Sequence, residues 1–256
     1  MNPRNFTMLV DDFDIELYDM KLVNYEIQSY AKRKTLGVNV PGAHGTQYVP
    51  SAIESPDFFA RLICTGKDTD SVNAKIREFF AFMYSVSGSR KIVFSDDDTI
   101  VRYAVLDAPD RYRVVNGVDG SFAELKLNFN MLDPFMYDSD ISRVVENAYS
   151  GKEFVVNNEA FECPAEFYIE NTGASVVTGI SLIVNNQVVD FSCDLYPGDV
   201  IVLDTIEYEV KFNGVSHLEH WRGEMPMLKN GDNVIVQHNS NNLPLLLSIK
   251  FTKQWV

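Results

Sequence analysis

The sequence predicts a mostly β protein with one helix, an α+β first half followed by an antiparallel β-sandwich. Three observations carry that prediction. One stretch of helical periodicity lies near residues 71–86, and strand-like runs surround it. From Ala165 onward, short alternating segments are separated by turn dipeptides.

Taken in order, Asp14 to Tyr18 and Lys21 to Tyr30 read as short strands, the second carrying β-branched and aromatic residues in rough alternation. Pro41-Gly42-Ala43-His44-Gly45 has turn chemistry and precedes an extended stretch from Thr46 to Val49. Phe58 to Thr65 is a strand ending at Gly66. The helix is expected over about 71–86, with Asp70 as N-cap because its carboxylate can accept from the free amides of the first turn. Val72, Ile76, Phe79, Phe80 and Met83 share one face, as for a helix lying on a sheet, and Gly88 is the expected stop. Lys91 to Phe94, a polar turn at Ser95 to Thr99 and Ile100 to Leu106 form a hairpin. Phe122 to Asn130 alternates, placing Phe122, Leu125, Leu127, Phe129 and Met131 mostly on one face, and is expected to close the first domain.

Residues 133–160 change character, through Asp133-Pro134, the run Asp138-Ser139-Asp140 and Gly151. The domain boundary is placed there, giving domains 1–140 and 141–256. Seven strands follow: Phe167–Glu170, Gly179–Val184, Gln187–Cys193, Val200–Asp204, Tyr208–Phe212, Asn233–Gln237 and Leu245–Phe251. Asn185-Asn186, Pro197-Gly198, Asn213-Gly214 and Asn230-Gly231 mark turns between them, the spacing of a sandwich.

Composition narrows the function. The chain has 256 residues, 46% hydrophobic, with 17 Phe and 12 Tyr, enough for packed cores rather than disorder. Net charge is −14: residues 1–140 carry 15 basic and 21 acidic side chains, and residues 141–256 carry 7 and 15. No basic stripe could neutralise a run of phosphates, so specific nucleic-acid binding is not expected. Cys64, Cys163 and Cys193 are odd in number and unpatterned, which reads as reduced, buried thiols. The N-terminus lacks a signal-peptide layout, and the longest apolar run, around Leu243 to Leu247, is broken by Pro244, so no membrane span is expected.

Candidate chemistry is sparse. Asp96-Asp97-Asp98 lacks the spacing of a calcium loop and reads as a solvated hairpin tip. His217 and His220 flank Leu218-Glu219 in what reads as loop or strand, and with no third ligand evident they are not assigned a metal. His44 reads as a surface residue in a Gly-flanked loop. No nucleophile elbow, phosphate-binding loop or Cys-His signature is present, so no catalytic residue, cofactor or metal is expected, and the chain is read as a non-enzyme. A sandwich invites a sugar-binding alternative. Trp221 with Glu224, and His238-Asn239, are similar to pieces of a galectin site, in the wrong order and without its arginine, which leaves Trp221 as the candidate glycan contact.

Several segments resemble the distal tail (Dit) proteins of siphophages infecting Gram-positive bacteria. These are Val40-Pro41-Gly42-Ala43-His44-Gly45, similar to the family's Pro-Gly-Arg-Asp-Gly, then the helix followed by Arg90 to Asp96, and Leu127-Asn128-Phe129 with Asp133 to Tyr137. In the second half they are Tyr196 to Asp204, Val210 to Gly214 and Met225 to Asn233, and the order spans nearly the whole chain. Ala43-His44 departs from the family's Arg-Asp and removes a charge pair there.

The resemblance implies an N-terminal ring-forming tail-hub domain and a C-terminal galectin-like sandwich. It implies a homo-hexamer at the virion tail tip, made in the bacterial host cytoplasm. The tail tube protein would lie above it and the tail-associated tip protein below, with a receptor-binding protein as a further partner. No large insertion interrupts the sandwich strands, so a projecting arm is not expected. Leu36, Val38, Val40 and Val49 are the candidate oligomer-interface residues, in a segment suited to an exchanged hairpin. DNA would pass through an acidic lumen without adhesion.

Overall fold

The computed structural model describes residues 6–27, 36–39, 46–49, 53–107 and 112–256. The chain divides into two compact units, Met1–Tyr137 with Val256, and Asp138–Trp255. It is mostly β, with one α-helix among the described residues.

In the first unit, β1 (Met8–Val10), β2 (Phe13–Asp14) and β3 (Met20–Ile27) precede a two-stranded ribbon of β4 (Leu36–Asn39) and β5 (Thr46–Val49). Then come β6 (Asp57–Gly66), helix α1 (Thr69–Met83), β7 (Arg90–Phe94), β8 (Asp97–Leu106), β9 (Val114–Gly117) and β10 (Gly120–Met131). The main sheet runs β2-β1-β7-β8-β10-β6-β3, antiparallel, with β9 pairing the start of β10. Its centre is the long β10–β6 ladder, which runs from Ser121 opposite Gly66 to Asn130 opposite Asp57. Alternation sets the core: Ala123, Leu125, Leu127, Phe129 and Met131 are buried, as are Phe58, Ala60, Leu62 and Cys64 across the ladder. Helix α1 covers this face with Val72, Ile76, Phe79 and Met83.

Four expectations are corrected here. Asp14 to Tyr18 is not a strand: Ile15–Tyr18 is a 3₁₀ turn, because the Asp14 carboxylate accepts from the Glu16 amide at 2.9 Å and caps it. The helix starts earlier than expected, at Thr69, and its N-cap is Asp68 rather than Asp70. Asp68 accepts from the Ser71 amide at 2.8 Å while the Ser71 hydroxyl meets the Asp68 amide at 3.2 Å, a reciprocal box that Asp70 has no partner to build. The helix also stops before Gly88, at Met83. Phe122 lies on the opposite face of β10 from Leu125, since a period of two separates even from odd positions, and it is exposed while Ala123 is buried.

The second unit is a two-sheet antiparallel sandwich. After β11 (Met136–Asp138), which runs across the boundary, come β12 (Ser142–Ala148), β13 (Glu153–Asn158), β14 (Ala165–Glu170), β15 (Ile180–Val184) and β16 (Gln187–Phe191). They are followed by β17 (Val200–Asp204), β18 (Glu209–Phe212), β19 (Val215–Ser216), a 3₁₀ turn (Leu218–His220), β20 (Trp221–Gly223), β21 (Gly231–His238), β22 (Leu245–Phe251) and β23 (Gln254–Trp255). One sheet is ordered β12-β22-β14-β17-β18-β19 and the other β13-β21-β15-β16-β20. Inward residues of both, such as Phe167, Leu203 and Ile249 from one and Leu182, Val189 and Ile235 from the other, form a separate core. All seven strands expected after Ala165 are present, while β12 and β13 arise in the stretch read as a change of character. Gly223 has φ +126, and a Cβ there would sit 2.2 Å from the Val188 carbonyl oxygen, so only glycine lets β20 close on β16.

Candidate assembly surfaces

The ribbon is the element that the sequence singles out for assembly. Its register sets Leu36 opposite Val49 and Val38 opposite Gln47. Among the described residues it pairs with no other strand. Val40, His44 and the Pro41–Gly45 motif lie outside the described residues. A lone two-stranded ribbon is marginal in water, so it needs a surface to lie on.

The remaining motifs turn out to be braces. Arg90, buried at the start of β7, donates to the Phe82 carbonyl and to Asp11, and to Ser85 Oγ at 3.0 Å, with its guanidinium 4.6 Å from the Phe82 ring centre. It therefore adds a charged donor to the Phe82 carbonyl, which also takes the Ser85 amide and hydroxyl, and ties the end of α1 to the turn after β1. Asp97 is not merely solvated, as expected of a hairpin tip. It pairs with buried Arg102 at 2.7 Å, and Asp96 accepts from Tyr25 Oη at 3.1 Å. Tyr25 stacks on Phe94 at 3.7 Å between ring centres, and burial, then the Asp96 contact, push its hydroxyl up to about 12. Asp133 accepts from the Phe135 amide at 3.0 Å and from the Tyr137 hydroxyl.

In the sandwich, Asp199 of the Tyr196–Asp204 motif accepts from the Tyr196 amide at 2.8 Å and from Asn213 at 2.9 Å, and Asn213 in turn accepts from the Val200 amide. Two of the recognised segments are thus one hydrogen-bonded corner. Asn233, closing the third segment, is fully buried. It donates to the carbonyls of Lys229 at 2.9 Å and Gly231 at 3.0 Å and accepts from the Lys229 amide at 2.7 Å. Asn158, Asn171 and Asn239 brace other loops in the same way, each donating to at least two acceptors.

Trp221 is half-buried, faces Phe191 across β20–β16 and packs against the sandwich core. Asn239, one of the galectin-like pieces, is turned inward to Gln237 and Leu243. His217 and His220 do not sit in a plain loop or strand but bracket the 3₁₀ turn, where Glu219 joins them. That third ligand escaped the sequence pattern because Glu219 and His220 are adjacent, a spacing that places two side chains together on neither a helix face nor a strand face.

All three thiols are free; Cys64 and Cys163 are buried and Cys193 half-buried. Burial raises each, Cys163 up to about 12. An open hollow at one end of the first sheet is lined by the carboxylates of Glu26, Asp57 and Asp107 beside Phe59 and Asn130. No helix among the described residues is long and apolar enough to cross a membrane.

Comparison with known proteins agrees with this geometry. A search of curated proteins finds no match. Among solved structures, the chain is similar to the Dit protein of phage SPP1, a hub adsorption protein of phages infecting Gram-positive bacteria. That match has a TM-score of 0.78 at 15% identity and covers 98% of this chain and 99% of that one. It is also similar to a chain of the phage P2 baseplate in its activated, calcium-bound conformation, with a TM-score of 0.53 at 10% identity over 97% of both chains. Residues 12–131 match the family described as the phage tail protein RIFT-related domain. The first unit is thus similar over residues 12–131 to the RIFT-related domain of phage tail proteins, and the chain as a whole has a fold like that of the SPP1 Dit protein.

Proposed function

We propose that this chain is the distal tail, or baseplate hub, protein of a long-tailed phage, a structural part of the virion rather than an enzyme. The observation that carries the reading is the coincidence of a tail-protein domain over residues 12–131 with a distal-tail fold over the whole length. In this reading the first unit builds a hexameric ring between the tail tube protein above and the tip protein below, and the sandwich lies on the outside. The β4–β5 ribbon, with Leu36, Val38 and Val49, reaches a neighbouring subunit, which would supply the covering surface that a two-stranded ribbon needs, and Val40 is proposed for the same interface. The six-charge acidic excess of residues 1–140 keeps DNA from adhering to the lumen.

Light scattering and negative-stain microscopy of the purified chain, alone and mixed with tube and tip proteins, test this. Six-membered rings, or rings formed on mixing, are expected, and replacing Val38 and Val49 together by Asp should leave monomers with unchanged circular dichroism. A chain that stays monomeric with both partners present overturns the proposal.

A further inference from the structure

We infer that His217, Glu219 and His220 form a binding site for a first-row divalent transition metal, zinc being the best fit, on the edge of the sandwich. The three donor atoms lie within 4.8 Å of one another. His217 Nδ1 is 2.8 Å and His220 Nε2 4.0 Å from the same carboxylate oxygen, Glu219 Oε1. The two imidazoles converge, their ring centres 5.0 Å apart and their planes tilted by 35°. Ligands around a tetrahedral zinc sit about 2.0–2.2 Å from the metal, hence about 3.3 Å from each other. The two distances to Glu219 Oε1, 2.8 and 4.0 Å, fall on either side of that value, so small side-chain adjustments bring the donors to an ion's spacing.

The backbone holds the donors in place before any ion arrives. The His217 amide donates to the Val210 carbonyl at 2.8 Å, the His220 amide to the His217 carbonyl at 3.1 Å, and the His220 carbonyl accepts from the Ser192 amide at 2.8 Å. The edge of the His217 ring is set against Phe212. Two neutral imidazoles and one carboxylate are borderline donors that favour zinc and its neighbours, whereas calcium takes six to eight oxygens and has no such cage here. Three protein ligands leave a coordination position for water.

The location gives the site a consequence. The 3₁₀ turn joins β19, the edge of one sheet, to β20, the edge of the other. An ion held there fixes the turn through which the chain crosses from one sheet to the other.

The test is calorimetric titration of the tag-free chain with zinc chloride, alongside the visible spectrum on adding cobalt chloride. One zinc per chain, an intense low-coordination cobalt band and a raised melting temperature with zinc are expected, and calcium should reproduce none of them. His217→Ala and His220→Ala should each weaken zinc by more than about tenfold, since removing even a supporting group costs that much. His238→Ala should bind as the unaltered chain does. No zinc uptake, or uptake by His217→Ala and His220→Ala equal to that of the unaltered chain, overturns the proposal. If either variant loses its fold, histidine ring resonances of the unaltered chain decide: zinc must shift those of His217 and His220 and spare His238, and the reverse pattern overturns it.

Discussion

At the scale of single residues, buried polar side chains in this protein close backbone ends. Arg90 is the clearest case in the first unit, because one guanidinium meets the Phe82 carbonyl, Ser85 and Asp11 at once. Arg90→Met keeps most of the apolar stem but removes the charged donor that all three share. It should lower the unfolding free energy of the first unit by about 3 kcal/mol, the low end of the range for breaking a buried pair because Asp11 is partly solvated. Arg90→Lys should recover less than half, since one ammonium cannot span the fork. Urea denaturation reads both. The sequence marked Arg90 only as part of a resemblance, since an arginine at the start of a strand carries no sign of the helix end that it reaches through space.

At the scale of elements, legibility followed chemistry that is local. The sandwich turns were readable because they need left-handed backbone and advertise it with asparagine and glycine: Asn185 and Asn186 have φ of 52 and 69, and Asn213 has 49. β12 and β13 were missed because both lie at sheet edges, where alternate residues meet water, and Ser142–Ala148 mixes Arg and Glu with its valines. The helix start was missed by two residues because Asp68 and Asp70 look alike until Ser71 is placed. That distinction can be measured. Asp68→Ala should lower the melting temperature clearly, and Asp70→Ala should lower it far less. The Asp68 carboxyl is held below its ordinary value, chiefly by the Ser71 amide, so its contribution should be present above the carboxylate range and fade as pH falls through it. Equal effects from the two variants would remove the capping assignment.

At the scale of the whole molecule, each unit has its own core and its own group poised against alkali. Cys163 in the second unit and Tyr25 in the first are both pushed up to about 12, from ordinary values of 9.0 and 10.0, and Tyr137 is raised as well. Folded values above unfolded ones mean that the unfolded chain loses its protons first. Stability is therefore intact below about pH 9 and declines as pH rises towards 12. Melting followed by circular dichroism from pH 8 to 11.5 should show a falling midpoint, and Cys163→Ala should flatten the first part of that fall. The raised thiols also predict that Cys163 resists alkylation at neutral pH until the sandwich unfolds. The sandwich was legible from pattern; the buried acid–base groups were not, since burial is a property of the packed chain.

The asparagine braces of the sandwich have one more consequence. Asn158, Asn171, Asn233 and Asn239 hold their loops with neutral amides, so neither proton nor salt concentration changes what they offer. Exposed ion pairs such as Lys152–Glu146 weaken as ionic strength rises, but a buried amide bonded to carbonyls has no net charge to screen. The loops that these four asparagines hold therefore keep one geometry from dilute medium to brine.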